Sequence, residues 1–506
     1  MSQPRSATAI DRSAIAFTFC AIAMLIGGVG WLAGAMWPVV LDRIASDGVV
    51  VTIWLFAAAG IGAAILRAGK ISCQSKALLF ATAAGIGFGV ISLITLLLGI
   101  CGALSRQAAI VILAIGLTLG IVTLFLNRAN WRKPRAEFLA ANWAWLVVIP
   151  FVVIAIVSAL VPAGILWGDE PNGYDVVEYH LQVPREWFEA GRIAPLSHNV
   201  FSYFPMNVEM HYLLAMELRG GPWAGMCVAQ LMHVVFVGLS VVTVYGVLKS
   251  TAKPQAAIIG AVIVGATPWM MMLAGIAYDE GGLLLFGSLS IAWAILAKDS
   301  QRKIKLIALA GVFAGLACGV KLTAVPMVLL AISIAMFAMF DWRQAIKSAA
   351  VFAIAGLIAF SPWLIRNAVW TGNPVFPEAM TILGRGHFSD SQVKRWDSAH
   401  RPREDQRNIL GRIDAVGSQI FGDWRYGFVE LPLAILAFAL SRKRTETRFL
   451  FVIFLINAIF WIAFTHLQGR FFVLSIPIAG MLIGQVEDLR WQLLAIGGAI
   501  TSAVIG

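Results

Sequence analysis

Asp169, Glu170 and Asp175 place three acids within seven residues, in Gly168-Asp169-Glu170-Pro171-Asn172-Gly173-Tyr174-Asp175, directly after a long apolar stretch. Carboxylates so placed can accept a proton or hold a divalent cation. Further on, Asp279-Glu280 fills a tight turn between apolar stretches and Lys321 stands between the next two. Arg366-Asn367 closes another stretch, and His466, Gln468 and Arg470 precede one more. Lys and Arg can neutralise a phosphate, Arg through two parallel hydrogen bonds. Charges close to a bilayer are expensive and tend to be functional. Acids combined with these bases at one membrane face would suit a lipid-linked phosphate.

The elements that must position these residues are apolar helices. Apolar residues make up 59% of the chain and charged residues 13%. Stretches of roughly 17 to 25 apolar residues recur from end to end, enough to cross ~30 Å of hydrocarbon. The expected fold is an all-α polytopic membrane protein of about 15 spans; the alternating strands of a membrane barrel are absent from the pattern. The first apolar run is too long for a cleaved signal peptide, so it is expected to remain as a helix. Five scattered cysteines form no disulfide framework or paired metal motif.

The formal charge of +11 does not indicate nucleic acid, because the basic residues flank the apolar stretches. With the N-terminus in the cytoplasm, cytoplasmic segments receive more than half of the 38 Lys and Arg, for example Arg442, Lys443, Arg444 and Arg448. The short external turns receive only Arg43, Arg106, Lys321 and Arg470, and the rest fall in two long external segments, 167–222 and 367–427. This orientation puts Asp175, Asp279, Glu280, Lys321, Arg366, His466 and Arg470 on the extracytoplasmic side. Within 167–222, Asn172 with Asp175 three residues on reads as a capping box. Pro184 suits the first turn of a helix that Gly191 would stop, and Trp187 and Phe188 suggest that this helix lies in the interface. The charged segment 367–427, with Trp396 and Trp424, should be partly helical and packed on the membrane face.

Each charged residue has a plainer reading. Asp175 can serve as a helix cap, and Asp279 and Glu280 as turn residues. Lys321 can snorkel, and Arg366 and Arg470 can pair with lipid headgroups. His180, His211 and His233 lack a zinc-ligand spacing and read as structural groups. Asp169 and Glu170 read as solvated loop acids, though either could replace Asp175 as the key acid.

From about residue 142 to 490 the chain resembles membrane glycosyltransferases of the GT-C fold, especially bacterial members of the aminoarabinose and mannosyl-transferase type. The resemblance lies in Tyr174-Asp175-Val176-Val177-Glu178-Tyr179-His180-Leu181, Tyr278-Asp279-Glu280, Gly319-Val320-Lys321-Leu322-Thr323, Pro362-Trp363-Leu364-Ile365-Arg366-Asn367, Thr371-Gly372-Asn373-Pro374 and Gln468-Gly469-Arg470-Phe471. It implies a glycosyltransferase module at 142–490, preceded by a four-span extension (1–141) and followed by one span (491–506). It also implies a bacterial cytoplasmic membrane and a sugar donor on polyprenyl phosphate, with a lipid, glycan or protein acceptor. By the same resemblance Asp175 is the base and Lys321, Arg366 and Arg470 hold the donor phosphate. Asp279 orients the acceptor or binds a divalent cation, while Glu280, Tyr179, His180 and His466 line the substrate site. The competing readings are a transporter or flippase of lipid-linked saccharide and a membrane subunit without catalysis.

Overall fold

The computed structural model describes residues 12–127, 138–165 and 173–505, and the chain there is helical with no strands among the described residues. Asp169, Glu170 and Asn172 lie outside the described residues, and with them the expected capping box and the rival choice of acid. Among the described residues, eight helices are long and apolar enough to cross a membrane. A ninth span forms if Pro254–Gly265 and Pro268–Ala274, which meet at 59°, count as one broken helix. Pro268 supplies no backbone N–H to continue the first of these, which explains the break there. The difference from about 15 expected spans has visible causes. The first two apolar stretches belong to one continuous helical run, Arg12–Ala68. Others are helical but short: Lys303–Cys318 has 16 residues, Glu430–Ser441 has 12, Ser475–Ile483 has 9 and Leu489–Ile505 has 17. Hydropathy along a sequence does not separate a spanning helix from a short buried one.

The Glu280–Ala297 helix is the axis of the core, with nearly all of its side chains buried. It packs between Pro222–Thr251 and Lys303–Cys318, and Trp293 Nε1 donates to Thr82 Oγ1 at 2.9 Å, tying it to the Lys76–Ile100 helix. The helices Val49–Ala68, Lys76–Ile100 and Arg106–Leu126 join the same apolar core. Small residues let them approach closely: a Cβ on Gly60 would stand 2.1 Å from the Gly116 carbonyl oxygen. Charge collects at the helix ends. The axial helix starts at Glu280 and finishes beside Lys298, which pairs with Glu446 at 2.7 Å.

The loops carry the expected helices. Gln182–Ala190 ends at Gly191, whose φ of +64° gives the left-handed stop that glycine supplies. Its Trp187 is not an interface anchor: the ring is 1% exposed, and Nε1 donates to the Ala194 carbonyl at 2.8 Å. The second segment is partly helical, with Asp390–Ala399 opened by a Ser389/Gln392 capping box. It docks on the first through a small apolar cluster of Tyr203, Phe376, Met380, Phe388 and Trp396. Trp187→Ala should therefore lower stability by about 3–5 kcal/mol, as for a large core ring. Denaturant or thermal unfolding in detergent would show this; a change within about 0.5 kcal/mol would return Trp187 to the surface.

Candidate functional site

Five of the charged residues singled out from the sequence meet in one connected network. Asp175 pairs with the Arg470 guanidinium. Arg470 Nε lies 3.4 Å from Glu280 Oε1. That same oxygen accepts from Lys321 Nζ at 2.7 Å, and Lys321 also donates to Asp279 Oδ1 at 3.1 Å. Aromatic faces cover the cations: the Arg470 guanidinium lies 4.5 Å from the Tyr278 ring centre and Lys321 Nζ 5.0 Å from that of Phe471. Asp175 stands at the start of the Val176–His180 turn but makes no side-chain capping bond; its carboxylate is turned to Arg470 instead.

Local folding explains how each group is held. Asp279 precedes the axial helix, whose start is fixed from behind by His233. Its Nδ1 donates to the Leu273 carbonyl and Nε2 accepts from the Gly281 amide, both at 2.8 Å. A ring that donates at one nitrogen and accepts at the other is the neutral tautomer. Lys321 follows the Lys303–Cys318 helix in a turn clamped by Asn207, which accepts from Ser92 and Trp363 and donates to the Leu316 carbonyl at 2.9 Å. The Asn207 amide closes the clamp on the Gly319 carbonyl at 2.8 Å. Only glycine fits at 319, since a Cβ there would stand 2.2 Å from Asn207 Nδ2. The Arg470 turn is pinned by Tyr426, which donates to the Gly469 carbonyl at 2.7 Å, and by Trp461, which donates to the Gln468 carbonyl at 2.8 Å.

The remaining expected site residues divide. His466 packs on Phe471 with ring centres 4.8 Å apart, next to the network. Burial, with His400 and Arg470 nearby, pushes its pKa down to about 4, so it is neutral at neutral pH. Tyr179 is buried against Phe201, ring centres 4.5 Å apart, and adjoins His180. Arg366 does not join the site. Its Nη2 donates to the carbonyls of Tyr203 and Phe204 at 2.7 and 2.8 Å, and the guanidinium is sandwiched between Trp363 and Trp370, 4.6 Å from each. With Asn367, which donates to the Tyr203 and Phe376 carbonyls, it clamps the segments that carry Tyr203 and Phe376 together. The guanidinium is held by backbone carbonyls and Asn367 Oδ1, with Nη1 buried and unpartnered among the described residues, and no hydrogen bond or ion pair joins it to the five-residue network there.

Beside the network lies a group that no sequence spacing reveals. His180 Nδ1 is 2.6 Å from Glu209 Oε1, and donor atoms of His180, Glu209 and Asp279 all lie within 4.8 Å of one another. His180 Nε2 and Glu209 Oε2 are buried with no hydrogen-bond partner among the described residues. One imidazole with two carboxylates is a donor set that suits zinc or manganese, so these three residues could hold a divalent cation. His211 instead packs among Trp54, Phe88 and Phe236 as a core ring. Glu209 and Asn207 were missed because each sits in an apolar stretch without a charge pattern, and only their through-space neighbours mark them.

Electrostatics follow from burial and pairing. Burial works to raise the Asp175 pKa, but Arg470, then His180, outweigh it and hold the carboxyl below the ordinary range. Burial also opposes charge on Lys321, yet Asp279 and Glu280 keep its ammonium above the ordinary lysine value. Asp279 goes the other way: burial pushes its carboxyl up against the pull of Lys321.

Fold and site together define an all-helical protein with several helices able to cross a membrane and one buried acid–base network at the ends of those helices. A family described only as a domain of unknown function, DUF8201, matches residues 282–398. That segment contains Lys321 and Arg366 but not Asp175, Asp279 or Arg470. No curated protein and no solved structure matches the chain.

Two outcomes test this geometry. Asn207→Ala should leave Ser92, Trp363 and the Lys321 turn without their shared partner and cost about 2–4 kcal/mol, since several buried hydrogen bonds fail together; a neutral substitution would dismiss the clamp. Asp175, with its lowered pKa, contributes stability that is fully present above its ordinary value of 3.8 and lost as pH falls through the folded value. Asp175→Asn should therefore flatten the acid limb of a stability–pH curve below about pH 4. An unchanged acid limb would deny the Arg470 pairing.

Proposed function

We propose that this chain is a membrane glycosyltransferase of GT-C type that moves a sugar from a polyprenyl-phosphate donor to an acceptor hydroxyl at the extracytoplasmic face. The observation that supports the reading is the network Asp175–Arg470–Glu280–Lys321–Asp279, which joins a candidate base to two candidate phosphate ligands. Lys321 and Arg470 take the donor phosphate. The acceptor oxygen forms its bond to the sugar C1 as the C1–O bond to phosphate breaks, the bonding pair leaving with the phosphate. Asp175 accepts the acceptor's proton, and the products are the glycoside and polyprenyl phosphate. Cations already in place where charge develops are worth most in such a step.

The network also implies an order of events. Arg470 and Lys321 are compensated by acids before donor binds, and an Arg-paired carboxylate is a weak base. A donor phosphate competes with Asp175 for the Arg470 fork, and Asp175 becomes a better base once it is released. Binding the donor thus arms the base, which guards against proton abstraction in its absence.

A transporter or flippase of lipid-linked saccharide is the second reading, favoured by the 59° break between Pro254–Gly265 and Pro268–Ala274. Broken helices are frequent at transporter sites. The two separate on chemistry. With a polyprenyl-phosphate hexose or pentose and membrane acceptors, wild-type protein should release polyprenyl phosphate, and Asp175→Asn should slow this about 10²–10⁴-fold, the usual worth of a general base. Passage of intact donor across vesicles with no release would support the transporter. Equal turnover by the Asn variant would remove Asp175 from the reaction.

A further inference from the structure

The bend between Pro254–Gly265 and Pro268–Ala274 holds an acid that the proposed reaction does not use. Thr267 stands in the break, and its Oγ1 makes two contacts, with the Ile263 carbonyl at 2.8 Å and with Glu430 Oε2 at 2.6 Å. Glu430 lies 163 positions further on, at the start of Glu430–Ser441, and is 2% exposed. Its Oε1 is buried with no hydrogen-bond partner among the described residues.

A threonine hydroxyl has one proton to give. With that proton on the Ile263 carbonyl, the 2.6 Å contact needs a second one, and Glu430 is the group that can supply it. An ionised carboxylate there would share one donor and leave Oε1 bare, a costly way to bury a charge. The elements around it offer little to hold such a charge. From the turn at Trp424–Tyr426 come Tyr426, which donates to the Gly469 carbonyl, and Arg425, already paired with Asp423 at 2.9 Å. Pro254–Gly265 and Ser475–Ile483 carry no charged side chain. Leu489–Ile505 faces this end with Gly498 and Ser502, and Thr445–Phe464 meets the other end through Thr447.

We propose that Glu430 is a proton site: carried as the neutral acid it bonds Thr267 and latches the bend, and loss of its proton loosens Pro268–Ala274. The half-helix so held leads to the network. At its far end the Leu273 carbonyl accepts from His233 Nδ1, and His233 Nε2 accepts from the Gly281 amide beside Glu280. One proton at the bend therefore bears on how firmly the turn of Asp279 and Glu280 is held. The inference stands apart from the transfer reading, since it concerns how the bend is built and not what the network binds.

Infrared spectroscopy and hydrogen exchange on the full-length protein in detergent test it together. At neutral pH the wild-type spectrum minus that of Glu430→Gln should contain the carbonyl stretch of a protonated carboxylic acid. As the pH is raised until that band disappears, amide exchange across 264–274, corrected for its intrinsic pH dependence, should rise about tenfold or more in wild type. Glu430→Gln, which keeps a neutral side chain, should not follow. Where that variant fails to fold, Thr267→Val serves: it should shift the carbonyl band and raise exchange at neutral pH. Absence of a carboxylic band, or a band that Thr267→Val leaves in place, overturns the proposal, because Glu430 is then no acid bound to Thr267. A band that persists until the protein unfolds, or equal exchange in wild type and Glu430→Gln at every pH, overturns it as well and makes Glu430 a passive core group.

Discussion

Arg470 is the group on which the arrangement turns. Its guanidinium, almost wholly buried, is shared between Asp175 and Glu280 and lies over the Tyr278 ring. Asp175 is 295 positions away in sequence, so the pair is a long-range constraint that holds the turn at Val176–His180 against the turn at Gly469–Phe472. Burying such charges costs several kcal/mol per ion unless they are paired, and removing one partner strands the rest. The helices must therefore deliver all five residues to one place, or none.

The surrounding structure does this with hydrogen bonds to backbone. Asn207 fixes the Lys321 turn, His233 the start of the axial helix, and Tyr426 the turn that carries Arg470. Arg366 and Asn367 do similar work between the segments that carry Tyr203 and Phe376. Each replaces mobile loop with clamped loop, and preorganised charge of this kind is what phosphate recognition and leaving-group stabilisation need. The pairing also leaves little spare positive charge. In the proposed reaction a donor phosphate would have to exchange places with a carboxylate, which would link its occupancy to the state of Asp175.

Much of the site was legible in the sequence because charge in an oily chain is conspicuous. Asp175, Asp279, Lys321 and Arg470 stood at the ends of apolar stretches, and the distribution of Lys and Arg put them on one face. What escaped depended on neighbours distant in sequence. Trp187 resembles an interface anchor until its ring is seen in the core. Arg366 has the type of a phosphate ligand, yet faces backbone carbonyls. Glu209 and Asn207 have no pattern around them. The helical class was legible as well, but the number of spans was not, since periodicity and hydropathy do not reveal that Pro254–Ala274 is bent or that Ser475–Ile483 is short.

The central claim is that Arg470 and Lys321 receive a lipid phosphate. A cryo-EM structure of the protein with bound polyprenyl phosphate tests it most directly. The account predicts the phosphate against Lys321 and Arg470, with the Asp175 carboxylate released from the guanidinium and facing open space. A phosphate bound elsewhere, with the Asp175–Arg470 pair intact, would contradict it.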